Sequence, residues 1–148
     1  KGLSPRQNRN IPPLNYQKVY SIKDDFPELE IIINGGIKNI SEAKNHLNYV
    51  DGVMLGRTAY DDPFMLSDID SEIYSNTKIE ISRKHLLAEY LDYVHLMTKK
   101  GYDPKIMLKH VFGLKKGEKD AKRFRVKVAE IMNSSSLVEN KDELLSMV

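Results

Sequence analysis

Two short apolar runs, each closing on glycine, limit what this chain can become. Residues 31–36 read IIINGG and residues 52–57 read GVMLGR. Ile31, Ile32 and Ile33 form an uninterrupted β-branched run, the pattern of a strand covered on both faces. Val53, Met54 and Leu55 repeat the pattern and stop at Gly56. Between the runs, Asn39 with Glu42 three residues on resembles a capping box, and Ile40, Ala43, Leu47 and Val50 follow at helical spacing. Strand, helix and strand in that order predict parallel pairing through a right-handed crossover.

The flanks extend this grammar. Residues 1–15 are punctuated by Gly2, Pro5, Pro12 and Pro13 and read as loop. A helix is predicted over 15–25, with Tyr16, Val19, Tyr20 and Ile22 as its apolar stripe, stopping before Pro27. Another is predicted over 63–74, opened by Pro63. A lone pair of strands makes no stable parallel sheet. The segment through residue 74 therefore reads as one sector of an α/β barrel or open sheet whose other strands precede Lys1, and the chain as a fragment.

From residue 82 no strand pattern remains. Leu86, Tyr90, Val94 and Met97 mark one face of a long helix ending at Gly101. Asp103-Pro104 opens another that closes near Gly113, and a third spans 118–132 with Ala121, Phe124, Val128 and Ile131 inward. Ser134, Ser135 and Ser136 read as a linker, and Asn140 with Glu143 as the cap of a short last helix. The expected domain boundary falls near 75–81, giving domains over 1–77 and 78–148.

Composition excludes several classes. The 148 residues are 41% hydrophobic, enough for a core, and a net charge of +2 argues against a wholly basic nucleic-acid binder. There is no cysteine, hence no disulfide, thiolate metal site or catalytic thiol in this chain, which fits a reducing compartment and a cytoplasmic expectation. No apolar stretch is long enough for a membrane span, and the first residues carry no apolar signal core. His46, His85, His95 and His110 lack metal-like spacing and read as structural or surface residues. No protein partner is inferred.

The glycine-ended strands carry the chemistry. A phosphate needs converging N–H donors. Gly35 and Gly36 have no Cβ to fend off an oxygen and can adopt positive φ, and Gly56 does the same on the neighbouring strand. Arg57 adds a guanidinium able to bind two phosphate oxygens, and Asn34 an amide at the strand's lip. Either motif alone is most often a plain turn; both at one level on adjacent strands point to a shared phosphate site. Residues 115–127, KKGEKDAKRFRVK, hold seven Lys or Arg against two acids. Lys122 and Arg125 lie three apart on one exposed face, either an ordinary soluble surface or a track for a nucleic-acid backbone. Arg6, Asn8 and Arg9 sit in a loop at the same expected rim as the glycine turns.

GLSPRQNRNIPPLNYQKVY, INGGIKNISEAKNHL and DGVMLGRTAYDDP, in this order, resemble the C-terminal part of the tRNA-dihydrouridine synthases, A-type subfamily, with LKHVFGL a looser anchor further on. The resemblance implies the last part of a (β/α)8 TIM barrel followed by an all-α helical tRNA-binding domain. It implies FMN held at its phosphate by Asn34, Gly35, Gly36, Gly56 and Arg57, with NADPH as reductant and uridine in the tRNA D-loop as substrate. Arg6, Asn8 and Arg9 would approach the tRNA near the target base, and Lys122 and Arg125 would meet its backbone. The family's catalytic cysteine belongs to the missing first half of the barrel, so this chain is expected to be inactive alone. The alternatives are part of another phosphate-binding barrel enzyme, or a non-catalytic RNA-binding module.

Overall fold

A computed structural model of the protein describes residues 14–74, 76–134 and 140–148. The described residues form a mostly helical α/β chain with one small parallel sheet, and their contacts divide the chain between Thr58 and Ala59 into two compact units.

In the first unit, helix α1 (Tyr16–Asp25) starts where Asn15 accepts the Lys18 N–H at 3.1 Å. Strand β1 (Ile32–Asn34) leads into helix α2 (Ile40–Leu47) and back to strand β2 (Gly52–Met54). The strands pair in parallel, Ile32 opposite Gly52 and Asn34 opposite Met54, as the sequence predicts. Asn39 caps α2 by accepting from the Glu42 N–H at 2.8 Å, while the Glu42 carboxylate reaches back to the Lys38 N–H at 2.8 Å. This is the expected box with its return bond moved one residue outward.

Ile33, Ile37, Ala43 and Val50 are buried here, packed by Tyr16, Val19, Tyr20, Ile31, Val53 and Leu55. One expectation is corrected. The strands are covered on one face only: Ile33 is buried, but Ile32 is 59% and Met54 53% exposed. Successive strand residues face opposite sides, so Ile32, Asn34 and Met54 share the open side.

The second unit begins differently from its sequence. In place of one helix over 63–74, the chain makes short helix α3 (Arg57–Asp61), which crosses the unit boundary, a 3-10 segment (Pro63–Asp68) and helix α4 (Ile69–Glu72). Helices α5 (Arg83–Lys99), α6 (Pro104–Leu108), α7 (Ala121–Ser134) and α8 (Lys141–Ser146) follow, with a 3-10 turn at Lys109–Val111. Ser82 caps α5 at the His85 N–H, and Asp103 caps α6 at the Lys105 N–H. At Gly101, φ is +90° and the Tyr102 N–H bonds the Met97 carbonyl, the left-handed stop its glycine predicts. Asn140 stands at the N-cap of the short last helix as expected, though its side chain makes no cap bond; of the serine linker, residues 135 and 136 lie outside the described residues.

Phe124, Val128 and Ile131 are buried as expected, against Leu87, Leu91, Val94, Leu108, Val111, Leu114 and Leu144. The buried face of α5 thus centres on Leu87 and Leu91, one residue round from the predicted Leu86 and Tyr90. Phe64 packs against this cluster and lies under the Arg83 guanidinium, 3.9 Å from its ring centre. Contacts like these join the segment after Ala59 to the helical unit, ahead of the composition change at 75–81.

A Cβ on Gly113 would stand 2.4 Å from the Asp61 carbonyl oxygen and 2.9 Å from Pro63 Cδ. Gly113→Ala is therefore expected to destabilise the helical unit by about 1–3 kcal/mol, as overpacking against backbone does. Urea denaturation of the variant against wild type measures this.

Candidate functional site

Because β1 and β2 run parallel, the residues after Asn34 and after Met54 leave the sheet at the same end, with the strands roughly 4.8 Å apart. Gly35 and Gly36 both take positive φ, +121° and +68°. Their turn then descends to Ile37, whose carbonyl accepts from the Thr58 hydroxyl at 2.6 Å. That bond ties the turn after β1 to the residues after β2, so the two glycine segments are neighbours in space as well as in level.

The fold asks different things of the two positions. A Cβ on Gly36 would meet Leu14 Cδ1 at 2.8 Å and the Tyr16 hydroxyl at 2.9 Å. Gly56 has an ordinary φ, and a Cβ there would find no atom of the described residues within 4 Å. Packing and backbone conformation require Gly36; open space lies over Gly56. The backbone N–H groups of Gly36 and Gly56 make no hydrogen bond among the described residues. Asn34 and Arg57 are exposed at the same end.

Behind the turn stands an aromatic cluster. The Tyr16 hydroxyl donates to the Gly35 carbonyl at 2.7 Å. The Tyr16 ring meets the ring of His46 edge-on, centroids 4.5 Å apart, and Tyr20 stacks on Tyr49 at 4.4 Å. The Tyr20 hydroxyl lies 2.6 Å from His46 Nδ1, which satisfies this buried imidazole. Desolvation, and then the proximity of Tyr49 and Tyr16, raise the pKa of the Tyr20 phenol above its ordinary value, so it stays protonated at neutral pH. His46 is structural, as the sequence reads. The contributions of Tyr16 and Thr58 to the turn are not visible in the sequence, where Tyr16 reads only as part of an apolar stripe.

The remaining expected site residues belong to the other unit or fall outside the described residues. Lys122 and Arg125 are exposed on α7, in the helical unit. The basic segment around them is of mixed use. Lys127 pairs with Glu143 at 2.6 Å, and the Lys115 ammonium bonds the Met147 carbonyl. Lys122 and Arg125 form no ion pair among the described residues. Arg6, Asn8 and Arg9 lie outside the described residues. Among the described residues no cluster of His, Asp and Glu is placed to hold a metal ion, and no helix is long and apolar enough to cross a membrane.

A family model described as Dihydrouridine synthase (Dus) matches residues 2–147. Over 125 residues, 84% of this chain, the sequence is 42% identical to a Pseudomonas putida protein named tRNA-dihydrouridine(20/20a) synthase, covering 37% of that protein. Proteins of the same name from Haemophilus ducreyi and Vibrio cholerae are 42% and 40% identical over 129 residues, 87% of this chain, which cover 40% and 39% of their lengths. The chain thus spans 37–40% of the length of these curated relatives.

The contrast between the glycines gives a test. Gly36→Ala is expected to lose about 1–3 kcal/mol of stability through its left-handed backbone and its contacts with Leu14 and Tyr16. Gly56→Ala is expected to stay within about 0.5 kcal/mol of wild type. Thermal and urea unfolding of the pair reads the difference.

Proposed function

The chain belongs to the dihydrouridine synthase family, and from that premise we propose that the complete protein reduces uridine to dihydrouridine in the D-loop of tRNA. In this reading residues 1–77 are the last sector of a (β/α)8 barrel and residues 78–148 a helical tRNA-binding domain. The barrel assignment is supported by the strand pair itself, which buries Ile33 against helices and exposes Ile32 and Met54 on the side that a closed barrel fills. A tRNA-modifying role fits a cytoplasmic protein.

FMN is the proposed cofactor, with NADPH as reductant, and its phosphate is proposed to lie between the glycine turns. The residues present fit such a group. Among the described residues Gly36 and Gly56 offer N–H donors without backbone partners and nothing fills the space over Gly56, while Arg57 and Asn34 are exposed at the same end. Asn34, Gly35, Gly36, Gly56 and Arg57 would hold the phosphate through charge-assisted hydrogen bonds. Bound FMN supplies the hydride chemistry, and these residues anchor the end of the cofactor remote from the reacting ring. The chain has no cysteine, so the proton donor of the family's reaction is not among its residues. The single observation that carries this reading is the parallel register that brings both turns to one edge of the sheet.

The tRNA would meet Lys122 and Arg125 on α7 and, nearer the target base, Arg6, Asn8 and Arg9. What supports the α7 surface is that these two cations remain exposed where Lys115 and Lys127 are engaged within the fold.

Arg57→Ala in the complete protein is expected to weaken FMN binding by roughly 10-fold or more, the worth of a charge-assisted contact, while tRNA binding is kept. Flavin fluorescence titration and filter binding measure the two. Unchanged FMN affinity would favour a non-catalytic RNA-binding module. Lys122→Ala is expected to weaken tRNA binding and lower the slope of log K against log salt by about 1. An unchanged slope would return α7 to plain surface.

A further inference from the structure

The amide that faces a ligand is set by what holds the other side of its peptide. The Gly35 carbonyl and the Gly36 N–H belong to one trans peptide and point in opposite directions. Tyr16 holds that carbonyl at 2.7 Å from the α1 side, so the Gly36 N–H is turned away from α1. Two peptides on, Thr58 holds the Ile37 carbonyl at 2.6 Å. The N–H of that second peptide, on Lys38, is taken by the Glu42 carboxylate at 2.8 Å. Of these two peptides, one is satisfied at both ends and the other leaves only the Gly36 N–H without a backbone partner among the described residues.

Tyr16 is itself fixed at three points. Asn15 caps the helix that Tyr16 begins, His46 meets its ring edge-on at 4.5 Å, and Leu14 lies against Gly36 beside its hydroxyl. A glycine pair is the most mobile backbone available, and without these holds the peptide between Gly35 and Gly36 could flip and present its carbonyl oxygen where an anion should sit.

We propose that Tyr16 and Thr58 are positioning residues for phosphate recognition: their hydroxyls hold back the Gly35 and Ile37 carbonyls on either side of Gly36, so that the turn offers the Gly36 N–H to the anion. This rests on the phosphate reading of the site. Neither hydroxyl touches the ligand. Each acts through the peptide it restrains.

The test compares FMN with riboflavin, which has the same ring system and lacks the phosphate, by fluorescence titration of the complete protein. Tyr16→Phe is expected to weaken FMN binding roughly 3- to 10-fold, the worth of one neutral hydrogen bond, with riboflavin affinity unchanged. Thr58→Val, which keeps the side-chain volume, is expected to do the same and serves alone should Tyr16→Phe fail to fold. FMN affinity unchanged in these variants, while Arg57→Ala abolishes the preference for FMN over riboflavin, overturns the positioning role and leaves the phosphate site standing. Equal weakening of FMN and riboflavin also overturns it, since that marks general loosening. A wild-type protein with no preference for FMN over riboflavin overturns the phosphate reading, and the positioning role with it.

Discussion

Asn34 lies opposite Met54 in a parallel pair, and that register decides which edge of the sheet the two glycine turns share. A slip of one residue would move every side chain to the other face, burying Ile32 and Asn34 among the helices and exposing Ile33. Register is pinned at the far end of the pair. There the Asp51 carboxylate accepts from the Ile31 N–H at 2.8 Å and pairs with Lys23 at 2.8 Å, while the Asp51 and Gly52 N–H groups reach the Ile31 carbonyl. The Ile31 N–H first, and then Lys23, hold the Asp51 carboxyl below the usual carboxylate range. With the folded pKa lowered, this contribution is present above the ordinary aspartate pKa and is lost as pH falls through the folded value. An acidic residue at one end of the strands thus helps hold the register that brings the two glycine turns to the other.

The two compact units carry different kinds of interaction. The first holds its site through directional bonds from side chains to backbone: Asn15 and Asn39 at the helix starts, Tyr16 and Thr58 at the turn. The second is held by an apolar cluster around Phe124, Leu87 and Leu91, and keeps Lys122 and Arg125 on its exterior. An anion held by fixed amides needs preorganisation to within about 0.5 Å. A polyanionic backbone met by exposed cations needs charge more than fixed geometry. The contrast between the units follows the contrast between the two proposed ligands.

What the sequence made legible was mainly local. Asn39, Asp103 and Gly101 act on backbone within a few residues of themselves, so their patterns name the helix ends directly. Phe124, Val128 and Ile131 recur at helical spacing and are buried as that spacing requires. The failures were non-local. Ile32 has the same branched side chain as Ile33, and nothing in the run tells which face this chain leaves open. The buried face of α5 sits one residue round from Leu86 and Tyr90 because Leu86 and Leu87 are equivalent until the neighbouring helices choose between them. The broken segment after Gly56 follows packing of Phe64 into the helical unit, which periodicity alone does not carry. In the site, the glycines and Arg57 were visible by residue type, but the Tyr16–Gly35 bond joins residues nineteen positions apart and leaves no mark in either neighbourhood.

The amides of Gly36 and Gly56 are proposed to serve one phosphate. Amide chemical shifts of the glycine-labelled complete protein test it directly, with FMN and riboflavin added in turn. The Gly36 and Gly56 resonances are expected to shift together with FMN and to stay near their free positions with riboflavin. Movement of only one of the two, or equal movement with both ligands, would contradict it.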